Sequence, residues 1–245
     1  YVYFKYLHTI VHYTLLIFYF CVNKYKVLLL VTVMGVLTWD ALDHKILDGV
    51  SGSCGSDKMM AILGPSGSGK TTLLESIYNA QSFHQSVTLN RKPVSKRDIS
   101  YVFQNETFID TLTVYETLEF NCRLRNKIKE QMLDIISDVK FESLLDQRVS
   151  TLSGGEKKRL SIAIELANDS PIFLLDEPIS SLDSHLASSI IDVLHNIKRN
   201  RIIICTIHQP SLDIFMSFDK VNFLNKGSLY YDGDPSALVD HCIKA

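Results

Sequence analysis

The glycine-rich run GPSGSGKT, from Gly64 to Thr71, joins a short apolar segment to a helix-like pattern. It matches G-x-x-x-x-G-K-[ST] at every position. Glycines let consecutive backbone N–H groups turn inward and approach phosphate oxygens closely, and the following helix points its positive end at the same anion. Lys70 then reaches the β- and γ-phosphates, and the Thr71 hydroxyl ligates Mg²⁺. The sequence therefore predicts a nucleoside triphosphate site made of Gly64, Pro65, Ser66, Gly67, Ser68, Gly69, Lys70, Thr71 and Thr72.

Two adjacent carboxylates follow the apolar run PIFLL at positions 171–175. Asp176 stands at the end of this predicted core strand, where it can orient the ligands of a magnesium ion. Glu177 can accept a proton from an attacking water, and positioned general bases contribute typically about 10²–10⁴-fold to a rate. A pair of acidic residues that merely caps a strand is the alternative. Because the second carboxylate is free to act on water, the pair predicts hydrolysis rather than binding alone.

A serine and two glycines, Ser153, Gly154 and Gly155, open the predicted helix in TLSGGEKKRLSIAIELA. The first turn of a helix has unpaired N–H groups, and with the serine hydroxyl they form a second candidate anion site. A capping box between Ser153 and Glu156 is the alternative. A capping box explains these two residues, but it does not require two glycines between them.

Composition excludes several classes of protein. The chain has 245 residues, with 25 basic and 27 acidic side chains and a net charge of −2, so no basic excess indicates a nucleic-acid partner. The length fits one large domain or two small ones. Five cysteines lie far apart, which indicates reduced thiols in a cytosolic compartment rather than a disulfide framework or a zinc site.

The elements that must position these residues alternate along the chain. Apolar runs without strict alternation, separated by helical patterns, predict a parallel sheet covered on both faces. Strands are predicted at 35–42, 45–52, 58–63, 86–90, 99–103, 171–175 and 201–207, with a terminal hairpin over 220–233 that turns at Gly227. Helices are predicted at 69–80, 113–145, 157–169 and 184–200.

The run Leu152–Glu156 is similar to the Leu-Ser-Gly-Gly-Gln/Glu signature of the ATP-binding cassette (ABC) ATPases. The resemblance extends over about 36–245. It implies an α/β fold, a P-loop NTPase of ABC type, with a mainly parallel core sheet flanked by helices. An antiparallel β subdomain and a helical signature subdomain at about 107–168 complete the expected ATPase domain over 35–245.

The resemblance also implies roles for single residues. Gln104 matches the Q-loop glutamine that touches magnesium and the water. The run SSLD at 180–183, which ends at Asp183, resembles the D-loop, and His208 matches the switch histidine at the γ-phosphate. The expected catalytic residues are thus Glu177, His208 and Gln104. The expected magnesium ligands are Thr71, Gln104 and Asp176, and the cofactors are ATP and Mg²⁺. In this family two cassettes pair head to tail, so Ser153, Gly154 and Gly155 serve the partner's nucleotide. Asp183 is also expected among the nucleotide-binding residues.

Two longer runs, at 101–120 and 205–233, resemble the G subfamily of ABC transporters, the white-type half-transporters. The resemblance implies a six-helix membrane domain after the cassette, a second cassette as a homo- or heterodimer partner, and export of lipids or hydrophobic compounds. It places the ATPase domain on the cytoplasmic side of a membrane. A soluble ABC-type ATPase not coupled to transport is the alternative. Ser181 departs from the glycine usual in the D-loop, and the insert between Gln104 and Leu152 is short for the subfamily.

Two questions stay open at this level. Residues 1–34 form a hydrophobic extension that is a membrane segment, a buried element of the domain, or a stretch outside the folded protein. Neither of its apolar runs reaches the roughly 20 residues needed to span a bilayer. The aromatic residue that stacks on adenine is Trp39 or His44, which lie upstream of Gly64.

Overall fold

The computed structural model of the protein describes residues 18–22, 25–29, 35–105 and 107–244. The strands are β1 (Phe18–Val22), β2 (Tyr25–Leu29), β3 (Val36–Leu42), β4 (Val50–Gly55), β5 (Lys58–Leu63), β6 (Ser86–Leu89), β7 (Lys92–Pro93), β8 (Ile99–Val102), β9 (Ile172–Leu175), β10 (Ile202–Thr206), β11 (Lys220–Asn225) and β12 (Ser228–Gly233). The helices are α1 (Lys70–Tyr78), α2 (Val114–Leu124), α3 (Lys129–Asp138), α4 (Gly154–Leu166), α5 (Ser184–Ile197), α6 (Leu212–Met216) and α7 (Pro235–Lys244).

A six-stranded sheet with the order β12-β11-β5-β10-β9-β8 forms the centre of the fold. Only β12 runs antiparallel to its neighbour; the other four pairings are parallel. Thr206 pairs with Ile62, and Leu175 pairs with both Cys205 and Val102. The carboxyl ends of β5, β8, β9 and β10 therefore lie at one edge, where ligands of open α/β sheets bind.

Both faces of this sheet are buried, which confirms the predicted parallel sheet. Along β5, Met59 and Ala61 face a core shared with α2, α4 and α5, whereas Met60 and Ile62 face a second core shared with α1. Alternate residues of a strand point to opposite faces, so a strand covered on both sides has to be apolar throughout. The uninterrupted apolar runs of β5, β9 and β10 satisfy this condition.

A smaller antiparallel sheet with the order β4-β3-β6-β7 packs on the α1 side, and helices α2 to α4 form a helical unit on the other side. These are the two additions to the core that the resemblance led us to expect. The division into an extension at 1–34 and a domain at 35–245 stays a prediction.

Local backbone changes shift several element boundaries. The predicted helix over 113–145 is two helices, because the chain turns between Arg125 and Ile128 with Asn126 at φ 55°. The strand predicted over 45–52 was wrong in its first half: Lys45 and Gly49 have positive φ, and β4 begins only at Val50. Helices α6 and α7 and the short strand β7 were not predicted. The terminal hairpin is confirmed by β11 and β12.

Within the N-terminal extension, the structure describes only β1 and β2, which pair antiparallel to each other. The rest of residues 1–34 lies outside the described residues, so its three alternatives stay open. Among the described helices, none is long and apolar enough to cross a bilayer. Cys54, Cys122 and Cys205 are buried free thiols.

Candidate functional site

The glycine-rich loop connects β5 to α1 and has the open backbone that an anion site needs. Gly64, Gly67 and Gly69 adopt φ values of 150°, 74° and 104°, a region that side-chain-bearing residues avoid. Gly69 is the N-cap of α1 and contributes no side-chain cap, so the first N–H groups of this helix stay open to a ligand. The backbone of this loop therefore offers unpaired N–H donors to a bound phosphate.

Two polar side chains of the loop support the same reading. The Lys70 ammonium donates hydrogen bonds to the carbonyl oxygens of Gly64 (2.9 Å) and Pro65 (3.1 Å), which holds it across the loop. Burial lowers the pKa of Lys70 below its ordinary value, and the nearby Glu177 and Asp176 carboxylates offset only part of this shift. The Ser68 hydroxyl is buried and has no hydrogen-bond partner among the described residues. A buried hydroxyl without a partner is costly, and a phosphate oxygen would satisfy it.

The turn of the β11–β12 hairpin supports the loop from behind. The Gly227 N–H donates to the Ser68 carbonyl (3.0 Å), and the Asp48 N–H donates to the Gly227 carbonyl (3.0 Å). A Cβ at Gly64 would overlap the carbonyl oxygen of Leu224 on β11. The sequence analysis identified Gly227 only as a hairpin turn, and no local pattern indicates that this turn contacts the phosphate loop.

Asp176 and Thr71 meet behind the loop and form a set of oxygen atoms suited to Mg²⁺. The Thr71 hydroxyl donates to Asp176 Oδ1 (3.1 Å), and the buried Thr206 hydroxyl donates to the same oxygen (2.6 Å). Hydroxyl and carboxylate oxygens are the ligands that Mg²⁺ prefers. Thr206 was missed by the sequence analysis, although its position at the end of the apolar strand β10 marks it as a polar residue at the ligand edge.

Glu177 follows Asp176, and its side chain contacts the side chain of Gln104. The Gln104 amide donates to Glu177 Oε2 (2.8 Å), and the Glu177 N–H donates to the Thr206 hydroxyl (2.8 Å). Glu177 has φ 47°, an unusual conformation for a residue other than glycine and one that occurs preferentially at functional sites. The structure thus brings together Gln104 and Glu177, which are 73 residues apart in sequence.

His208 follows β10 and faces the phosphate loop. Its Nε2 lies 3.3 Å from the Ser66 hydroxyl. Together with Glu177 and Ser180, these two residues line a cavity of about 580 Å³ between the loop and the start of α5. Four of the predicted positions therefore lie at the carboxyl ends of three neighbouring strands: Gln104 follows β8, Asp176 and Glu177 follow β9, and His208 follows β10.

The signature residues Ser153, Gly154 and Gly155 open α4 and do not join this group. Their serine forms the capping box: the Glu156 N–H donates to Ser153 Oγ (3.3 Å), and Ser153 donates through N–H and hydroxyl to Glu156 Oε2, at 2.7 Å each. These hydrogen bonds lower the pKa of Glu156. Gly154 instead lines a cavity of about 310 Å³ beside Gln104 and the D-loop. The capping box is thus present in this structure, and the two glycines remain unexplained by it.

Asp183 is the N-cap of α5, where its carboxylate accepts hydrogen bonds from the His185 and Leu186 N–H groups at 2.9 Å each. This contact gives Asp183 a structural role, and its contact with a nucleotide stays a prediction.

The two candidate adenine-stacking residues, Trp39 and His44, lie in different surroundings. Trp39 is 2% exposed and packs in the core beside Gly52, so neither ring face is open to a base. His44 stacks on Phe83 with ring centroids 4.1 Å apart.

Ser181, the position where the D-loop departs from the usual glycine, has φ 62°. The serine therefore keeps a glycine-like backbone. We expect Ser181→Val to lower stability by about 1–2 kcal/mol, because a β-branched residue fits this region poorly. Ser181→Gly should change stability by less than about 0.5 kcal/mol, since relief of strain is offset by chain entropy. Thermal unfolding of both variants checks this; a Ser181→Val midpoint equal to that of the parent would contradict the φ value.

A glycine loop before a helix with no side-chain N-cap, with carboxylates and a histidine at the same sheet edge, defines a nucleoside triphosphatase fold. The ABC transporter family matches residues 47–180, and the chain belongs to this family. This assignment confirms the predicted ABC-type ATPase.

Curated relatives of the chain carry the G-family name. ABC transporter G family member 22 of Arabidopsis thaliana is 40% identical over 220 residues, which are 82% of this chain and 29% of that protein. ATP-binding cassette sub-family G member 5 of Homo sapiens is 35% identical over 217 residues, which are 80% of this chain and 33% of that protein. The resemblance to the G subfamily is thereby confirmed, and the chain spans about a third of these relatives' length.

Two solved structures share the fold. One is cbiO1 from Clostridium perfringens, part of the ABC transporter complex cbiONQ, with a TM-score of 0.73 and 24% identity over 84% of this chain and 91% of that one. The other is a bacterial Atm1-family ABC exporter with ATP bound, with a TM-score of 0.70 and 22% identity over 87% of this chain and 41% of that one.

Proposed function

We propose that this domain binds ATP with Mg²⁺ and hydrolyses it to drive export through a membrane domain, as the cytoplasmic cassette of a G-type half-transporter. The observation that carries the proposal is the convergence of Lys70, Asp176, Glu177 and His208 around the open glycine loop. Lipids or other hydrophobic compounds are the proposed substrates, by analogy with the G subfamily alone.

Each residue then has one task in hydrolysis. The loop N–H groups and Lys70 hold the phosphates, and the Thr71 hydroxyl and Asp176 are the residues that would hold Mg²⁺. The ion, when bound, neutralises negative charge that develops on the phosphate oxygens. Water attacks the γ-phosphorus as its proton passes to the Glu177 carboxylate, and the bond from the γ-phosphorus to the ADP oxygen breaks. Gln104, in contact with Glu177, orients that water, and His208 contacts the γ-phosphate.

The separation of the signature helix from the phosphate loop supports a paired enzyme. Gly154, at the start of α4, lines a cavity with Gln104 and Ser181 of its own chain, and no residue of the phosphate loop lines that cavity. We propose that Ser153, Gly154 and Gly155 contact the nucleotide of a second cassette, together with Asp183. Each ATP would then be enclosed by the loop of one copy and the α4 N-terminus of the other.

An apolar groove beside the Q-loop supports a membrane-domain partner. Phe103, Ile109 and Phe120 are each more than half exposed and, with Glu165, line a cavity of about 370 Å³. Exposed apolar patches of this kind mark interaction sites. The relatives extend well beyond the matched third of their length, and we propose that a six-helix membrane domain occupies the groove.

Removal of the Lys70 ammonium tests the nucleotide site. We expect Lys70→Ala to weaken Mg-ATP binding by about 10- to 150-fold, because a hydrogen bond to a charged group is worth roughly 1.5–3 kcal/mol. Titration with a fluorescent ATP analogue measures the affinity. Lys92→Ala, which removes an exposed ammonium from β7, is the control and should bind as the parent does. Equal affinity for Lys70→Ala and the parent would show that the loop is misassigned.

The coding sequence of the transcript separately tests whether this ATPase domain is coupled to a membrane domain. Sequence read past the codon for Ala245 should contain several stretches of about 20 apolar residues, each long enough to span a bilayer. A stop codon or a second cassette at that place would instead favour a soluble ABC-type ATPase.

A further inference from the structure

We propose that Lys158 is a positioning residue that transmits the position of the signature helix to Gln104 and, through Gln104, to Glu177. The inference rests on the proposed ATPase function and deepens it. Lys158 lies in the second turn of α4, and its ammonium donates hydrogen bonds to the carbonyl oxygens of Phe103 (2.9 Å) and Gln104 (3.1 Å). It therefore contacts the backbone of the Q-loop.

The Q-loop segment has little regular structure to fix it. Strand β8 ends at Val102, and residues 103–105 continue without helix or strand. Phe103 and Gln104 are both exposed. The Lys158 ammonium binds two successive carbonyl oxygens, and such charge-assisted hydrogen bonds restrain the backbone that carries the Gln104 side chain. The Gln104 amide donates to Glu177 Oε2 at 2.8 Å, so the restraint extends to the proposed general base.

The other end of this connection is the signature itself. Ser153 is the N-cap of α4, and Lys158 follows it by five residues, about 7.5 Å along a helix at 1.5 Å per residue. A helix segment this short moves as a rigid unit. A displacement of the signature by the partner's nucleotide would therefore move Lys158 and, through it, the Q-loop of the same chain. In this way the occupancy of one nucleotide site would set the position of Gln104 in the other.

The neighbouring residue Arg159 offers a matched control on the same helix. Its guanidinium also donates to two backbone carbonyls, those of Val139 (3.4 Å) and Lys140 (3.3 Å), and lies over the Phe141 ring. These contacts tie α4 to the segment at the end of α3 and not to the Q-loop. Arg159→Met thus removes a charge and two carbonyl contacts from α4 without touching Gln104.

The first test compares steady-state Mg-ATP hydrolysis by the 245-residue chain and its variants. Lys158→Met keeps the chain length and removes the ammonium; we expect kcat to fall roughly 10-fold with KM changed less than about 2-fold, the pattern of a loss specific to turnover. Lys158→Arg should restore most of the rate. In a Gln104→Ala background Lys158→Met should lower kcat less than about 2-fold, because residues that act through one another are not additive.

The inference is overturned if Lys158→Met leaves kcat unchanged, if its effect multiplies fully with that of Gln104→Ala, or if Arg159→Met gives the same kcat loss. A second readout does not depend on activity. Amide hydrogen exchange at residues 103–105 should be faster in Lys158→Met and unchanged in Arg159→Met; equal exchange in Lys158→Met and the parent also overturns the inference. A parent chain that neither binds nor hydrolyses ATP refutes the proposed function instead. Amide hydrogen exchange still tests, in that case, whether Lys158 restrains the Q-loop.

Discussion

Glu177→Gln is expected to lower turnover of Mg-ATP by about 10²–10⁴-fold while leaving ATP affinity unchanged, the range that a positioned general base contributes. Glu177 follows β9; its backbone N–H donates to the Thr206 hydroxyl, and its Oε2 accepts from the Gln104 amide. Glutamine has the same shape and keeps polar contacts, but it does not accept a proton at neutral pH. The loop and Lys70, which bind the phosphates, are untouched by this change.

Single-turnover hydrolysis and equilibrium binding of ATP measure the two effects separately. Because bound ATP then persists, we also expect a closed pair of cassettes, visible as a doubled mass by size-exclusion chromatography with light scattering. Glu142→Gln is the matched control, since Glu142 is exposed next to α3 and outside the site. If Glu177→Gln hydrolyses ATP as fast as the parent, Glu177 is not the base.

The residues that could be identified from the sequence lie in contiguous patterns. The glycine loop, the carboxylate pair and the signature each occupy a few consecutive positions, and their physical requirements are local: backbone freedom at Gly64 and Gly69, and an apolar strand before Asp176. Gln104 and His208 carry no such local pattern. Their identification needed the order of motifs in a known family, and the parallel register of β8, β9 and β10 explains why both lie at the same edge of the sheet.

The contacts that the sequence analysis missed join residues far apart in the chain. Thr206 is 30 residues from Asp176, and Lys158 is 54 residues from Gln104, so each pair depends on strand order and helix placement that no short pattern encodes. The choice between Trp39 and His44 as the adenine-stacking residue stayed open in the sequence for a different reason. An aromatic residue upstream of the loop satisfies the sequence criterion for a base-stacking side chain whether it faces solvent or, as Trp39 does, the core.

The steric fit of the phosphate loop against β11 gives the second large effect. Gly64→Ala is expected to lower stability by on the order of 3 kcal/mol, because φ 150° is unfavourable for alanine and the new methyl group would overlap the Leu224 carbonyl oxygen and lie 2.6 Å from Ser68 Oγ. At roughly 2–4 °C per kcal/mol for a domain of this size, the unfolding midpoint should fall by about 6–12 °C. The displaced loop should also lose most of its affinity for Mg-ATP.

Gly67→Ala separates backbone strain from this overlap. Gly67 has φ 74°, but a Cβ there would meet no atom within 4 Å. Its substitution should therefore cost only the strain of a left-handed residue, about 1–2 kcal/mol, with a correspondingly smaller fall in the midpoint. Scanning calorimetry of both variants measures the difference. Equal midpoints for the two would contradict the close approach of β11 to the loop, and with it the explanation of why glycine stands at position 64.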